Sequence, residues 1–282
     1  MTHDWRERLG RYGVWRGFSL VTPELAADLE RMGYGAVWLG ASPPADLRIV
    51  DELLAATTTL VVATGIVNIW ASEPHEVAGS FGRIEATYPG RFLLGVGAGH
   101  PEATPQYAKP YEAVTDYVEV LLADGVPGAS MVLAALGRRM LRLAADRTAG
   151  AHPYLVPVAY TRLAREILGE TPLLATEHKV VLEADTSVAR EIGRARVQRP
   201  YLGLVNYTSN LRRLGWTDAD LADGGSDALV DALVAHGEPE QVADQLGEHI
   251  SAGADHLCVQ LLTPAGADLV DGYRRLAAAL EL

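Results

Sequence analysis

The stretch Leu60–Gly99, LVVATGIVNIWASEPHEVAGSFGRIEATYPGRFLLGVGAG, constrains the fold more than any other part of the chain. It reads as strand, loop, helix and strand. Leu60–Val67 is a near-continuous apolar run, and Phe92–Val96 is a second. Between them, a helix over Pro74–Tyr88 carries Val77, Phe81 and Ile84 on one face. Strands that are apolar on both sides need cover on both sides. Two of them joined by an amphipathic helix predict a parallel sheet wrapped in helices. In such folds chemistry gathers at the carboxyl ends of the strands. Here those ends hold Asn68, Trp70, Gly97, Gly99 and His100.

The alternation continues along the chain. Strand Arg11–Trp15 leads to a helix with Thr22 as N-cap and Pro23 at its first position, stopped at Gly33. Strand Ala36–Leu39 precedes a short helix near Leu47–Ala56. After the 60–99 unit come helix Tyr111–Leu122, strand Met131–Leu136 and helix Arg138–Asp146. Strand Tyr154–Val158 leads to helix Arg162–Leu168, and strand Pro172–Leu182 to a helix from Val188. Pro200–His236 reads as interrupted helix, with Gly203, Gly215 and Gly224–Gly225 as breakers. Helix Pro239–Ala252, strand His256–Leu262 and helix Ala267–Leu280 complete the order. Eight βα steps without a linker predict a single-domain (β/α)8 TIM barrel over residues 1–282, with an expanded helical connection at about 187–236. A doubly wound sheet would need fewer strands or a longer chain.

Composition narrows the function. Net charge is −12, which argues against nucleic acid and anionic membranes as partners and leaves a small-molecule substrate. No apolar run reaches membrane-spanning length, and MTHDWRERLGRYG lacks the apolar segment of a signal peptide. With Cys258 as the one cysteine, in an apolar run that buries it, a cytoplasmic location is expected. In so acidic a chain an anionic ligand needs local positive charge. Lys109 and Lys179 are the only lysines, a bias consistent with a GC-rich genome.

Several segments carry candidate chemistry. Gly95-Val-Gly-Ala-Gly99-His100 fails the dinucleotide pattern, because the third glycine would fall at Glu102, and Pro101 and Pro105 delay a helix. It reads either as a plain turn or as a strand end stripped of side chains so that a flat ring can approach the backbone. His100 is then either a surface residue or a catalytic hydrogen-bond donor and proton carrier. Leu136-Gly137-Arg138-Arg139 joins a strand to a helix start, where free amides and guanidinium groups favour a phosphate; solvated arginines are the plainer reading. Trp38, Trp70 and Tyr207 are candidate substrate-pocket residues, against a core role, and Pro200–Trp216 is the candidate roof. Ser80 lies inside a helix, so Gly79 and Gly82 read as close-packing positions, not as an esterase elbow. His75-Glu76 and Glu177-His178 read as solvated pairs. No metal-ligand spacing is present.

Four words carry a family likeness: Val62-Ala-Thr-Gly-Ile-Val-Asn-Ile-Trp70, Tyr88-Pro-Gly-Arg-Phe-Leu-Leu-Gly-Val-Gly-Ala-Gly99, Ala151-His-Pro-Tyr154 and Gly253-Ala-Asp-His256. With them the chain resembles the luciferase-like monooxygenase superfamily, and most closely its actinobacterial branch of coenzyme F420-dependent oxidoreductases. The resemblance implies a barrel with a deazaflavin at its carboxyl face and hydride transfer to or from a small organic substrate. The open alternatives are an FMN-dependent monooxygenase and a non-catalytic flavin- or deazaflavin-binding protein. It further implies a non-proline cis peptide at Gly65-Ile66 backing the ring, with Asn68 just beyond. The ring end would reach Gly97, Gly99 and His100, the phosphate end would lie at Leu136–Arg139, and barrel helices would form a homodimer. Sugar-phosphate dehydrogenases of the family carry a glutamate where this chain has His100, and a histidine where it reads Gly40-Ala-Ser42. Their reaction is therefore not implied.

Overall fold

The structure, a computed structural model, describes residues 4–100, 109–264 and 266–282. Pro101, Glu102 and Pro105 lie outside the described residues. Among the described residues ten strands run β1 (Tyr12–Gly17), β2 (Ala36–Gly40), β3 (Val61–Thr64), β4 (Val67–Asn68), β5 (Phe92–Gly97), β6 (Met131–Leu133), β7 (Gly150–Ala151), β8 (Leu173–Val181), β9 (Val234–His236) and β10 (His256–Leu261). All pairings are parallel. β10 pairs with both β1 and β8, which closes the ring, and β3 with β4 makes one stave. The result is the expected (β/α)8 barrel of eight staves, with β9 as an added strand beside β8.

Side-chain alternation explains both layers. On successive strands Trp38, Ala63, Leu93, Val132, Ala175 and Cys258 point inward and pack with Trp5 and Leu9. Their neighbours Val37, Val62, Leu94, Leu133, Leu174 and Val259 point outward into the shell beneath the helices. A period of two on strands buried on both faces fills the barrel and covers it at once. The amino-terminal helix Trp5–Leu9, capped by Asp4, belongs to the inner cluster, and its Trp5 indole donates to Ala129 O at 2.6 Å. Among the described residues no helix is long and apolar enough to cross a membrane.

Three expectations need correction. The sixth stave is Gly150–Ala151, not Tyr154–Val158, and its helix begins at Val158 instead of Arg162. Pro153 and Pro157 cannot donate to a ladder, and Pro157 sits at the N-cap. The shift turns His152 and Tyr154 into strand-end residues. The connection after β8 contains helices Thr186–Gln198, Val205–Arg213 and Asp227–Leu233, but its last residues form β9. Lastly, Gly79 and Gly82 are exposed, and a Cβ at either meets nothing within 4 Å, so neither allows close packing.

The third stave is irregular where the site begins. β3 pairs Ala63 with Leu93, and β4 pairs Val67 with Val96. Four residues on one strand thus advance against three on the other, a one-residue bulge. Gly65-Ile66 inside it is a cis peptide, as the resemblance implied. Thr64 bridges the lost ladder with its side chain: its hydroxyl accepts from Gly95 N and donates to Gly95 O, both at 2.8 Å. The approach is possible because residue 95 is glycine. A Cβ there would lie 1.9 Å from Thr64 O.

Thr64→Val keeps the shape but leaves two buried backbone groups of Gly95 unpaired. Unfolding free energy in urea should fall by about 2 kcal/mol or more, with Thr64→Ser much closer to the parent. Gly95→Ala should be at least as damaging, whereas Gly79→Ala should gain about 0.5–1 kcal/mol as a relieved helix glycine. An unchanged midpoint for Thr64→Val would contradict the bridging role.

Candidate functional site

A cavity of about 580 Å³ opens at the carboxyl ends of the staves, a size typical of small-molecule sites. One wall is the bulge. Gly65 O accepts a hydrogen bond from the Trp15 indole at 3.3 Å, and a Cβ on Gly65 would press on Trp15 and His152. Ile66 lies on the wall, with Gly97 making room for it; a Cβ at Gly97 would stand 3.1 Å from the Ile66 side chain. Asn68 lines the cavity, accepts from Trp70 N at 3.0 Å, and packs its amide where a Cβ of Gly99 would be. Gly99 has φ +62°, which glycine adopts without penalty.

His100 also lines the cavity. The Asn206 amide Nδ2 stands 3.3 Å from its Nδ1, and the Tyr207 ring 5.3 Å from its own. An amide donating to Nδ1 leaves Nε2–H as the imidazole donor. Further along, helix Arg138–Arg147 begins at the wall. Its N-cap, Gly137, offers no side-chain cap, so the first-turn amides stay open. Leu136, Gly137 and Arg139 line the cavity, and the Arg139 guanidinium lies 3.9 Å over the Tyr111 ring.

The roof is aromatic. Tyr154, Tyr201 and Tyr207 meet with ring centroids 5.2 to 6.2 Å apart. The hydroxyls of Tyr154 and Tyr201 are 2.5 Å apart, and Tyr154 donates to Gln260 Oε1 at 2.9 Å. Behind them lies a fully buried ion pair, Lys179 Nζ to Glu177 Oε1 at 3.0 Å, with the ammonium 4.0 Å from the Tyr154 ring centroid. Glu177 Oε2 accepts from Leu155 N at 2.9 Å. Burial lowers the Lys179 pKa to about 8, with Glu177 opposing the shift. Burial raises the phenol of Tyr154 well above its usual value. The roof therefore presents neutral hydroxyls over a compensated pair of charges.

Most sequence-derived candidates converge here: Gly65, Ile66, Asn68, Gly99, His100, Leu136, Gly137, Arg139 and Tyr207 all line the cavity. Four do not. Gly97 is buried one step behind, as above. Arg138 is exposed on the outer side of its helix start. Trp70 turns onto the carboxyl end of β5 and donates to Ala98 O at 2.8 Å. Trp38 is fully buried inside the barrel, stacked on His152 at 4.3 Å, with its indole donating to His256 Nε2 at 3.0 Å. It is core because β2 residues of its parity face the barrel axis. Glu177-His178 is likewise buried and not solvated, whereas His75 is exposed beside Asp124. Sequence reasoning missed Trp15, His152, Tyr154 and Arg196 as lining residues, whereas Asn206 falls within the expected roof Pro200–Trp216. The word Ala151-His-Pro-Tyr154 held the signal for two of them.

Residues 21–123 match the family model for luciferase-like monooxygenase. No curated protein sequence matches the chain. Solved structures do. An F420-dependent secondary alcohol dehydrogenase in complex with an F420-acetone adduct is 15% identical, covering 96% of this chain and 98% of its own, with a TM-score of 0.74. The coenzyme F420-dependent tetrahydromethanopterin reductase from Methanopyrus kandleri is 15% identical over 96% and 98%, with a TM-score of 0.70. The oxygenating constituent of 3,6-diketocamphane monooxygenase from Pseudomonas putida, in complex with FMN, is 16% identical over 96% and 96%, with a TM-score of 0.63. These likenesses establish the shared barrel.

The histidines make stability pH-dependent. His152, His249 and His256 are buried, and desolvation lowers each pKa to about 4. The unfolded chain takes up protons near pH 6.5, and the folded chain resists them until about pH 4. Unfolding free energy should therefore fall as pH drops from 6.5 to 4. Urea titrations across that range check this. A flat profile would place these imidazoles elsewhere than in the core.

Proposed function

We propose that the chain is an oxidoreductase that transfers a hydride between deazaflavin coenzyme F420 and a small organic substrate. The observation that carries this reading is the bulge. The bulge turns the Gly65-Ile66 backbone, bare at Gly65 and carrying the Ile66 side chain, toward a cavity that ends on the open amides of Gly137–Arg139. Such a site suits a flat ring with a phosphate tail. Ile66 and Gly99 would flank the ring, and the helix amides with Arg139 would hold the phosphate. When bound, the deazaflavin supplies the ring carbon that gives or takes the hydride.

The chain's own work is positioning, water exclusion and hydrogen-bond donation. The tyrosine roof shields the cavity, and burial keeps its phenols neutral. His100 Nε2–H would donate to the oxygen of a carbonyl substrate and steady the charge that forms there. A homodimer built on barrel helices rests on the family likeness alone. The second reading is an FMN-dependent monooxygenase, favoured by the description of the matched family and by the FMN-bound neighbour.

Titration with each cofactor, followed by ring fluorescence, separates the two readings. Oxidised deazaflavin should bind more tightly than FMN, and the reverse order would favour the monooxygenase. Arg139→Ala should weaken binding roughly tenfold at low salt and less at high salt, with Arg138→Ala within twofold of the parent. Equal losses would move the phosphate seat.

His100→Ala should keep deazaflavin affinity within a few-fold yet slow turnover of the reduced cofactor by about 10²-fold, the usual scale for a lost donor to a developing oxyanion. Unchanged turnover would reduce His100 to a bordering residue.

A further inference from the structure

Helix Thr186–Gln198 carries three arginines on the side of the expanded connection: Arg190, Arg194 and Arg196. Two of them are matched with acids. Arg190 binds Asp231 at 2.6 Å and Asp227 at 3.0 Å, and Arg194 binds Asp227. Arg196 is different. Among the described residues no carboxylate lies within ion-pair distance of it, in a chain with 36 acidic residues. It is half-buried and lines the cavity beneath the roof. Its guanidinium stands 5.6 Å from the Tyr201 ring centroid. Burial raises the Tyr201 phenol, and the positive charge of Arg196 opposes that shift, so the cation bears directly on the roof. The other cavity cation, Arg139, stands on a different helix start, over Tyr111.

We propose that Arg196 is the anchor for a carboxylate on the substrate, and that the substrate has a planar apolar body held by Tyr154, Tyr201 and Tyr207. This rests on the oxidoreductase reading only for calling the ligand a substrate. Arg196 shares a hydrogen bond with Tyr201 but has no carboxylate partner among the described residues, and its remaining forked donors match a carboxylate's two oxygens. The buried Lys179–Glu177 pair adds no net charge nearby, so the anion preference falls to Arg196. The aromatic faces accept a ring by stacking and offer no competing negative charge. Arg139 serves the cofactor phosphate, and Arg196 serves the reacting partner.

Benzoate and its neutral isostere benzamide probe this directly. Dissociation constants are read from intrinsic tryptophan fluorescence, with the chain alone and with saturating oxidised deazaflavin. Benzoate should bind about tenfold or more tightly than benzamide, and the gap should narrow at high salt. Arg196→Gln should abolish the preference, while Arg196→Lys should retain part of it and Arg139→Gln all of it. Near-ultraviolet circular dichroism shows whether each variant keeps its packed aromatic core. No preference in the parent chain, a preference that survives Arg196→Gln in a folded variant, or one that falls with Arg139 instead would overturn the proposal. A benzoate preference without deazaflavin binding would uphold Arg196 and remove the cofactor reading. Deazaflavin binding without a benzoate preference would do the opposite.

Discussion

The Thr64 hydroxyl, bonded to both backbone groups of Gly95, is the contact on which the site depends. Parallel barrels are held by continuous ladders, and a bulge at a stave end leaves donors and acceptors stranded in the interior. Leaving them unmade costs more than an ordinary hydrogen bond returns. One side chain closes the gap, and one missing Cβ lets it do so. Ile66 is thereby carried onto the cavity wall, Gly97 leaves space for it, and Trp15 holds Gly65 O from the first stave. The geometry that a flat ring would meet follows from ordinary ladder accounting.

Much of this was legible in the sequence, and the pattern of what was not has physical reasons. Long apolar runs with clear helical partners, such as Phe92–Val96 and Pro74–Thr87, leave little freedom in type or position. The sixth stave is two residues long, too short for a period to register, and the more apolar Tyr154–Val158 drew the assignment away from it. Trp38 looked like a pocket residue because strand ends carry sites, yet its parity sends it inward to stack on His152. Glu177 reads as half of a solvated pair with His178, and nothing local marks Lys179 as its partner. Their burial follows from a nine-residue strand closed on both sides, which forces them to pair. The pocket residues missed, Tyr154 and Arg196, come from a loop and from the expanded connection, where tertiary placement outweighs local pattern.

Electrostatically the chain divides its labour. A net charge of −12 repels polyanions, while Arg196 and the more exposed Arg139, paired with Glu112 at 3.8 Å, line the cavity. The buried Lys179–Glu177 pair contributes little net field. Its stability rests on mutual compensation, and removing one partner would leave an uncompensated buried charge. Neutral phenols and the neutral His152 imidazole line the space between, so the cavity is cationic at defined points and apolar elsewhere.

A crystal structure of the chain grown with oxidised coenzyme F420 tests the central claim most directly. The account predicts the ring lying against Ile66 and Gly99, with the proximal phosphate on the amides of Gly137–Arg139. A ring bound elsewhere in the cavity, with the bulge facing empty solvent, would contradict it.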